Sequence, residues 1–164
     1  MPRMAVLAPF LVGSVLLPAL ALFACSGNPE DQLEKARQQL AAGAYADAAA
    51  TANAGLAAGA EGSIAWRLEL IALEGEARTA RTAAAQARLE RLAGSHAAQV
   101  TGSLYVQTAG QVKEAGDAEG AIGVLDAGAQ RFPEDADIAQ AIDRLKATGT
   151  SDEIERLRSL GYVE

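Results

Sequence analysis

The chain has 164 residues, 50% of them hydrophobic but only 4% aromatic, with 39 alanines, 16 glycines, five prolines and one cysteine. That balance excludes a disulfide-stapled domain, a collagen-like chain and a charged disordered tail, and the length suits one domain. The net charge of −7 excludes a general nucleic-acid-binding role, because phosphate recognition needs a basic face. Alanine is the strongest helix former and β-branched and aromatic residues are scarce, so the expected fold class is all-α.

In chain order, the first segment differs in kind from the rest. Arg3 and the amino terminus supply positive charge, and residues 4–24 then run without one ionisable side chain. Leu22, Phe23, Ala24 and Cys25 end that run, and a polar stretch from Ser26 to Asp31 follows. A charged start, an apolar core and small residues before a cleavage point describe a secretory signal peptide. The junction resembles the bacterial lipobox, with Leu22, Ala24 and Cys25 matching its pattern and Phe23 bulkier than the usual occupant.

That resemblance implies removal of residues 1–24, a diacylglycerol thioether on Cys25, and acylation of the new amino group. Residues 25–30 then form a lipidated linker in the cell envelope. Ser26, standing where an aspartate would retain the protein at the inner membrane, implies the outer membrane, facing the periplasm. Each buried methylene contributes about 0.8 kcal/mol and stable anchoring needs two chains, which this chemistry supplies. The sole cysteine at the junction leaves none for a disulfide or a metal site. Two other readings of the segment stay open. The run is long enough to span a bilayer uncleaved, which takes about 20 residues, and Pro9 and Pro18 are tolerated in such helices. It also has the composition of a buried core helix. Cleavage would leave 13 basic and 21 acidic residues, a net charge of −8. Anionic headgroups would repel such a domain, so attachment would fall to the acyl chains.

Helical patterns fill the remainder. Residues 31–42 carry Leu33, Ala36 and Leu40 at helical spacing, and 45–58 is alanine-rich and ends near Gly59. Ser63 is the expected N-cap of a helix holding Trp66, Leu70 and Leu73. Residues 79–93 place Leu89 and Leu92 inward, with Gly94 just past the end. Residues 103–115 and 118–131 form a further pair, stopped by Pro133. Residues 137–147 read as a capping helix and 148–150 as a linker. Ser151 is the expected cap of a last short helix, acidic in its first turn and basic later, as the helix dipole prefers. Gly161 ends it.

The sequence also matches itself at an offset of 73. Gly43, Ala48, Ala54 and Gly55 fall on Gly116, Ala121, Ala127 and Gly128, and Ala36 and Gln38 fall on Ala109 and Gln111. Here the chain resembles the tetratricopeptide repeat, a helix–turn–helix unit in which a glycine closes the first helix and a small alanine packs the crossing. Gly116, Ala121, Gly128 and Pro133 carry the pattern in the last copy, preceded by Tyr105 and Ala109. Ala36, Gly43, Tyr45, Ala48 and Gly55 carry it in the first copy, which has Ala60 where proline is expected. The middle copy, marked by Trp66, lacks the glycine–alanine pair. The spacings imply an insertion of about five residues there, near 75–81 or 94–98. The resemblance implies an α-solenoid of about three repeats plus a capping helix over residues 31–147, followed by a linker and short helix at 148–164. An unrelated antiparallel alanine-rich bundle is the competing architecture. In the family the first helix of each repeat lines a partner-binding groove, which by register here implies Arg67, Ile71, Glu74, Ser103, Val106 and Lys113. Arg67 and Lys113 are the bases that would meet a carboxylate. Trp66, Leu70, Leu73, Tyr105 and Leu125 are expected to carry a shallow core.

The tail from Leu157 to Val163 looks like a short ending found on bacterial envelope proteins and sulfatases. Its Ile154, Leu157, Leu160 and Tyr162 are expected to dock on the helices, a partner-docking helix being the alternative. Catalytic patterns are not expected. His96 is the sole histidine, so no HExxH or Cys/His ligand set forms and no metal or cofactor is expected. Gly116, Gly120 and Gly123 lack the Lys-Ser/Thr that completes a phosphate loop. Glu134 and Asp135 read as the start of a helix. The function implied is a non-catalytic, lipid-anchored interaction protein that binds a protein partner in assembling or organising an envelope complex. No nucleic acid or small-molecule substrate is expected. The alternative is a similar subunit held by an uncleaved inner-membrane helix.

Overall fold

A computed structural model describes residues 27–164; Leu22, Phe23, Ala24 and Cys25 lie outside the described residues. The described chain is all-helical. Its eight helices are α1 (Pro29–Ala41), α2 (Tyr45–Ala57), α3 (Gly62–Ala77), α4 (Thr82–Ser95), α5 (Gly102–Glu114), α6 (Ala118–Arg131), α7 (Ala136–Thr148) and α8 (Ser151–Ser159). No helix among the described residues is long and apolar enough to cross a membrane.

Consecutive helices pair as hairpins. The odd-numbered helices pack in succession, α1 on α3, α3 on α5 and α5 on α7, while α4, α6 and α8 follow one another behind them. Residues 136–159 therefore make a fourth hairpin, where a capping helix followed by a linker and a short docked helix was expected. Leu157 is fully buried, and the Tyr162 hydroxyl donates to Asp126 Oδ1 at 2.9 Å, so the tail is fastened to α6.

Local chemistry sets the helix ends. Asn28 caps α1 with Pro29 at its first position, and the Asp117 and Asp135 side chains accept N–H groups at the starts of α6 and α7. Thr150, rather than Ser151, caps α8, in a reciprocal capping box with Glu153. Ser63 is not the cap of α3; it lies inside the first turn, which begins at Gly62. Helix α4 runs through Gly94 to Ser95 and starts at Thr82, because residues 78–81 are consumed by the turn before it.

The odd helices begin at residues 29, 62, 102 and 136, so successive starts are 33, 40 and 34 apart. The second hairpin is longer at two places, where the sequence spacing implied one insertion, near 75–81 or 94–98. α3 has 16 residues where α1 and α5 have 13, and the α4–α5 connection is also longer than its counterparts. Gly43 and Gly116 close α1 and α5 at φ of 75° and 97°, with the backbone bonds of a Schellman ending. In the second hairpin Ala80 does this at φ 52°, and its N–H and that of Arg81 bond to Ala77 O and Glu76 O. Five residues after each closing position stands a buried alanine: Ala48, Ala85 and Ala121. Ala80 and Ala85 are therefore the counterpart of the glycine–alanine pair that the middle copy lacks in sequence.

Two glycines bring neighbouring hairpins together. A Cβ on Gly55 would stand 2.9 Å from Leu68 of α3 and 3.0 Å from Gln32 of α1. On Gly128 it would stand 2.9 Å from Tyr105 of α5 and 3.1 Å from Ile138 of α7. Gln32 and Tyr105 are 73 apart, as the two glycines are, so the packing repeats with the sequence.

The buried residues form two clusters. One joins Leu33, Ala36, Ala48, Ala52, Leu68, Ile71 and Ala72. The larger runs from Leu73 through Leu89, Leu92, Tyr105, Val112, Ile122 and Leu125 to Leu157. Leu73, Tyr105 and Leu125 belong to it as expected, and Trp66 packs against it only partly buried. Leu70 is a correction: it is only partly buried and belongs to neither cluster, lying between α3 and its neighbours α1 and α5.

Candidate functional site: the face of the odd-numbered helices

Helical spacing places four positions of each odd helix on one surface, at i, i+4, i+7 and i+11. On α1 these are Glu30, Glu34, Arg37 and Ala41; on α3, Ser63, Arg67, Leu70 and Glu74; on α5, Ser103, Gln107, Gly110 and Glu114. On α7 they are Asp137, Ala141, Arg144 and Thr148, with only Ala141 buried. Two contacts fix the levels. Ser103 Oγ donates to Asp137 Oδ2 at 2.9 Å, joining the first level of α5 to that of α7. Arg78 joins Glu74 at 2.8 Å to Glu114 at 3.4 Å, holding the fourth levels of α3 and α5 together.

Between the helices this face is indented. Arg37, Leu40 and Ala41 of α1 meet Arg67, Leu70 and Ile71 of α3 around an open cavity of about 520 Å³. A second, of about 190 Å³, lies between α3 and α5, lined by Ile71, Glu74, Gln107 and Gln111 among others. A third, of about 220 Å³, lies between α5 and α7 over α6. Its walls include Val106, Ala109, Gly110, Ala141 and Leu145, with Lys113 and Arg144 also lining it.

The six groove residues implied by the sequence divide accordingly. Arg67 and Ile71 line the first cavity, Ile71 and Glu74 the second, and Val106 and Lys113 the third, while Ser103 is held by Asp137. Lys113 already has a carboxylate partner within the chain. Its Nζ stands 2.6 Å from Oε1 of buried Glu153 on α8. The Lys113 ammonium and the Thr150 N–H hold the Glu153 carboxyl below its ordinary value. Arg37, Leu40, Leu70, Gly110 and Arg144 also belong to this face. Gly110 was legible as the i+7 neighbour of Ser103 and Leu70 as the i+3 neighbour of Arg67, whereas Arg37, Leu40 and Arg144 lie on α1 and α7, where no position had been implied.

A second polar constellation lies inside the array. Arg88 of α4 is 7% exposed and Glu69 and Glu76 of α3 are 6% and 4% exposed. Arg88 Nε and Nη2 both donate to Glu76 at 2.8 Å, Nη1 donates to Glu69, and Nη2 also reaches Asn53 Oδ1 of α2 at 2.7 Å. Arg91 closes the set by donating to Glu69. Two cations and two anions cancel, as burial requires. Burial alone raises the Glu69 carboxyl, but the hydrogen bonds and charges of Arg91 and Arg88 outweigh it and hold the group below its ordinary value. The network ties α2 to α3 and α4. In the sequence, Arg88 was visible as a charge within the stripe that carries Ala85, Leu89 and Leu92.

His96 packs beside Trp66, ring centroids 5.3 Å apart, and its Nδ1 is 2.8 Å from Ser95 Oγ. Among the described residues no group of three or more His, Cys, Asp or Glu is placed to hold a metal ion. Two of the three glycines considered as a phosphate loop have local reasons. Gly116 closes α5, and a Cβ on Gly120 would meet the side chains of Thr82 and Asp117. Asp135 caps α7, accepting from the N–H of Asp137 at 3.0 Å. No family model, no curated protein and no solved structure matches the chain.

Proposed function

We propose that this chain is a non-catalytic interaction module, built as a tetratricopeptide-like array and anchored by lipid on Cys25. In this reading it sits at the periplasmic side of the outer membrane and helps assemble or organise an envelope complex through a protein partner. The observation that carries the interaction reading is the odd-helix face. It holds three indentations and exposed Arg37, Arg67 and Arg144, none of which forms an ion pair among the described residues. Stacked helical hairpins use such faces for extended peptides or partner helices. The anchoring reading is supported by the junction Leu22-Phe23-Ala24-Cys25.

Two measurements test it. Cys25→Ala is expected to release the protein from membranes and abolish incorporation of a labelled fatty acid; a variant still membrane-bound and acylated overturns the anchor. A photo-crosslinker at Gln107, in the middle of the face, is expected to capture a partner in intact cells that the same probe at Ala83, off that face on α4, does not. Equal capture from both positions overturns the interaction face. The uncleaved run of residues 4–24 supports a second reading, an inner-membrane anchor. An N-terminal mass beginning at Met1, rather than at acylated Cys25, decides for it.

A further inference from the structure

The fourth hairpin turns differently from the other three. Those close through a left-handed residue, Gly43, Ala80 or Gly116, and no such residue stands between α7 and α8. Only Gly149 and Thr150 separate these two helices. Both have φ of −68°, a helical value, and they leave the helix through ψ alone, at 155° and 167°. Rotating two ψ angles would run α7 into α8 as one helix over 136–159, about 36 Å long at 1.5 Å per residue.

The side chains suit that helix. Counted through Gly149, Ile138, Ile142 and Leu145 of α7 and Glu153, Leu157 and Leu160 beyond it recur at three- or four-residue spacing, so they fall on one stripe. Gly149 serves the bent form, because a Cβ there would stand 2.5 Å from the Leu145 carbonyl oxygen. Short connections under such constraint invite exchange of the element they carry.

Helix α8 is also lightly seated. With nine residues it is too short to persist as a helix by itself. Leu157 is its one fully buried apolar side chain, and Ile154, Leu160 and Tyr162 are partly buried around it. An open cavity of about 420 Å³ remains against α6, lined by Glu119, Ile122, Asp152 and Arg156 among others. Arg156 Nε is buried there, 3.9 Å from Glu119, with no hydrogen-bond partner.

We propose that α8 and the tail are an exchangeable arm: α7 and α8 straighten into one helix, and the arm of each copy seats on α6 and α7 of a second copy. The seat itself argues for this occupant, because α8 already fits it, with Glu153 meeting Lys113 and Tyr162 meeting Asp126. In the exchanged pair those two contacts form between copies instead of within one. The interactions are the same, and the interface is two-fold and closed. The proposal does not rest on what the odd-helix face binds.

Residues 25–164 hold the whole described fold, so the test uses that chain with Cys25→Ser, which prevents a disulfide between copies. Light scattering after size-exclusion chromatography, from micromolar to millimolar chain, is expected to show a monomer and a dimer that grows with concentration. Gly149→Ala strains the bent form and favours the straight one. It is expected to raise the association constant about thirtyfold or more, from one glycine-to-alanine gain in each copy. Ser151→Pro is expected to abolish the dimer while keeping the parent's melting temperature. Proline is accepted at the first position of α8, where Ser151 stands, and it keeps Thr150 extended, as it already is. Association through any other surface would ignore both changes. In a mixture of Asp126→Cys and Tyr162→Cys copies, a short bismaleimide is expected to join one copy to the other. Gly149→Ala that stays monomeric at millimolar concentration overturns the proposal. So does a dimer undiminished by Ser151→Pro, or a dimer of the mixed copies that the reagent leaves unjoined.

Discussion

Ala80 and Gly116 occupy the same place in successive hairpins: each closes an odd-numbered helix in the left-handed region, at φ 52° and 97°. Glycine enters that region freely, whereas for an L-residue it costs roughly 1–2 kcal/mol. Part of any gain on changing Ala80 to glycine is offset by the greater freedom of glycine in the unfolded chain, about 0.4–1 kcal/mol. Ala80→Gly is therefore expected to stabilise by about 0.5 kcal/mol, and Gly116→Ala to destabilise by about that or more. Urea midpoints at unchanged slope measure both, and a loss of stability in Ala80→Gly contradicts the assignment.

The Arg88 network predicts an asymmetric response. Arg88→Ala leaves Glu69 and Glu76 buried without their main partner, and is expected to cost about 3–5 kcal/mol. Replacing Arg88 and Glu76 together by methionine and leucine is expected to cost much less, because no buried charge is stranded between them. A double-mutant cycle on chemical unfolding checks the coupling. Additive losses would mean that the pair is not coupled as its two parallel hydrogen bonds require.

Leu70 and Leu73 are three residues apart and should behave oppositely. Leu73 is 2% exposed, so Leu73→Ala is expected to cost about 2–5 kcal/mol. Leu70 lines the face between α1 and α3 and between α3 and α5, so Leu70→Ala is expected to cost under about 1.5 kcal/mol and to impair partner capture. Thermal melts of the two variants, read beside the crosslinking yield, separate the roles.

Stability should fall at both ends of the pH range for different reasons. The carboxyls of Glu69 and Glu153 titrate below the ordinary 4.5 in the folded chain. Lowered folded values mean that the unfolded chain takes up protons more readily, so this stability is present above pH 4.5 and lost as pH falls below it. Glu153→Gln should flatten that acid limb of a urea-midpoint series. At the alkaline end, burial and the bond to Asp126 push Tyr162 up to about 12 from 10.0. A raised value reverses the sign: the contribution is intact below pH 10 and lost as pH rises toward 12. Phenolate absorbance should show a late-titrating tyrosine that Tyr162→Phe removes.

The helices themselves were largely readable, because alanine content, capping residues and the glycines at 43 and 116 all act locally. What escaped was tertiary. The offset of 73 located the first and third hairpins, but the second hid its closing residue, since Ala80 bears a strain that no local pattern advertises. Leu70 shares a stripe with Trp66 and Leu73 on a helical projection. Only the packing of α1 and α5 on either side of α3 decides that it stays outside. Lys113 looked free because Glu153, its partner, is 40 residues away in sequence. Of the candidate face, Arg67, Ile71 and Glu74 were placed by register alone, whereas Arg37 and Arg144 required knowing where their helices begin.

The division of the buried residues at α3 carries a kinetic consequence. From α1 and α2 the smaller cluster draws Leu33 and three alanines, with the large side chains otherwise coming from α3. Alanine burial contributes far less than leucine burial, and in stacked hairpins each unit is held mainly by its neighbour. The first hairpin should therefore fray and re-close while the rest remains intact, with amides of α1 and α2 exchanging with solvent well before those of α5 and α6. Under tension applied through the amino-terminal end, the chain would yield from that end inward, one hairpin at a time.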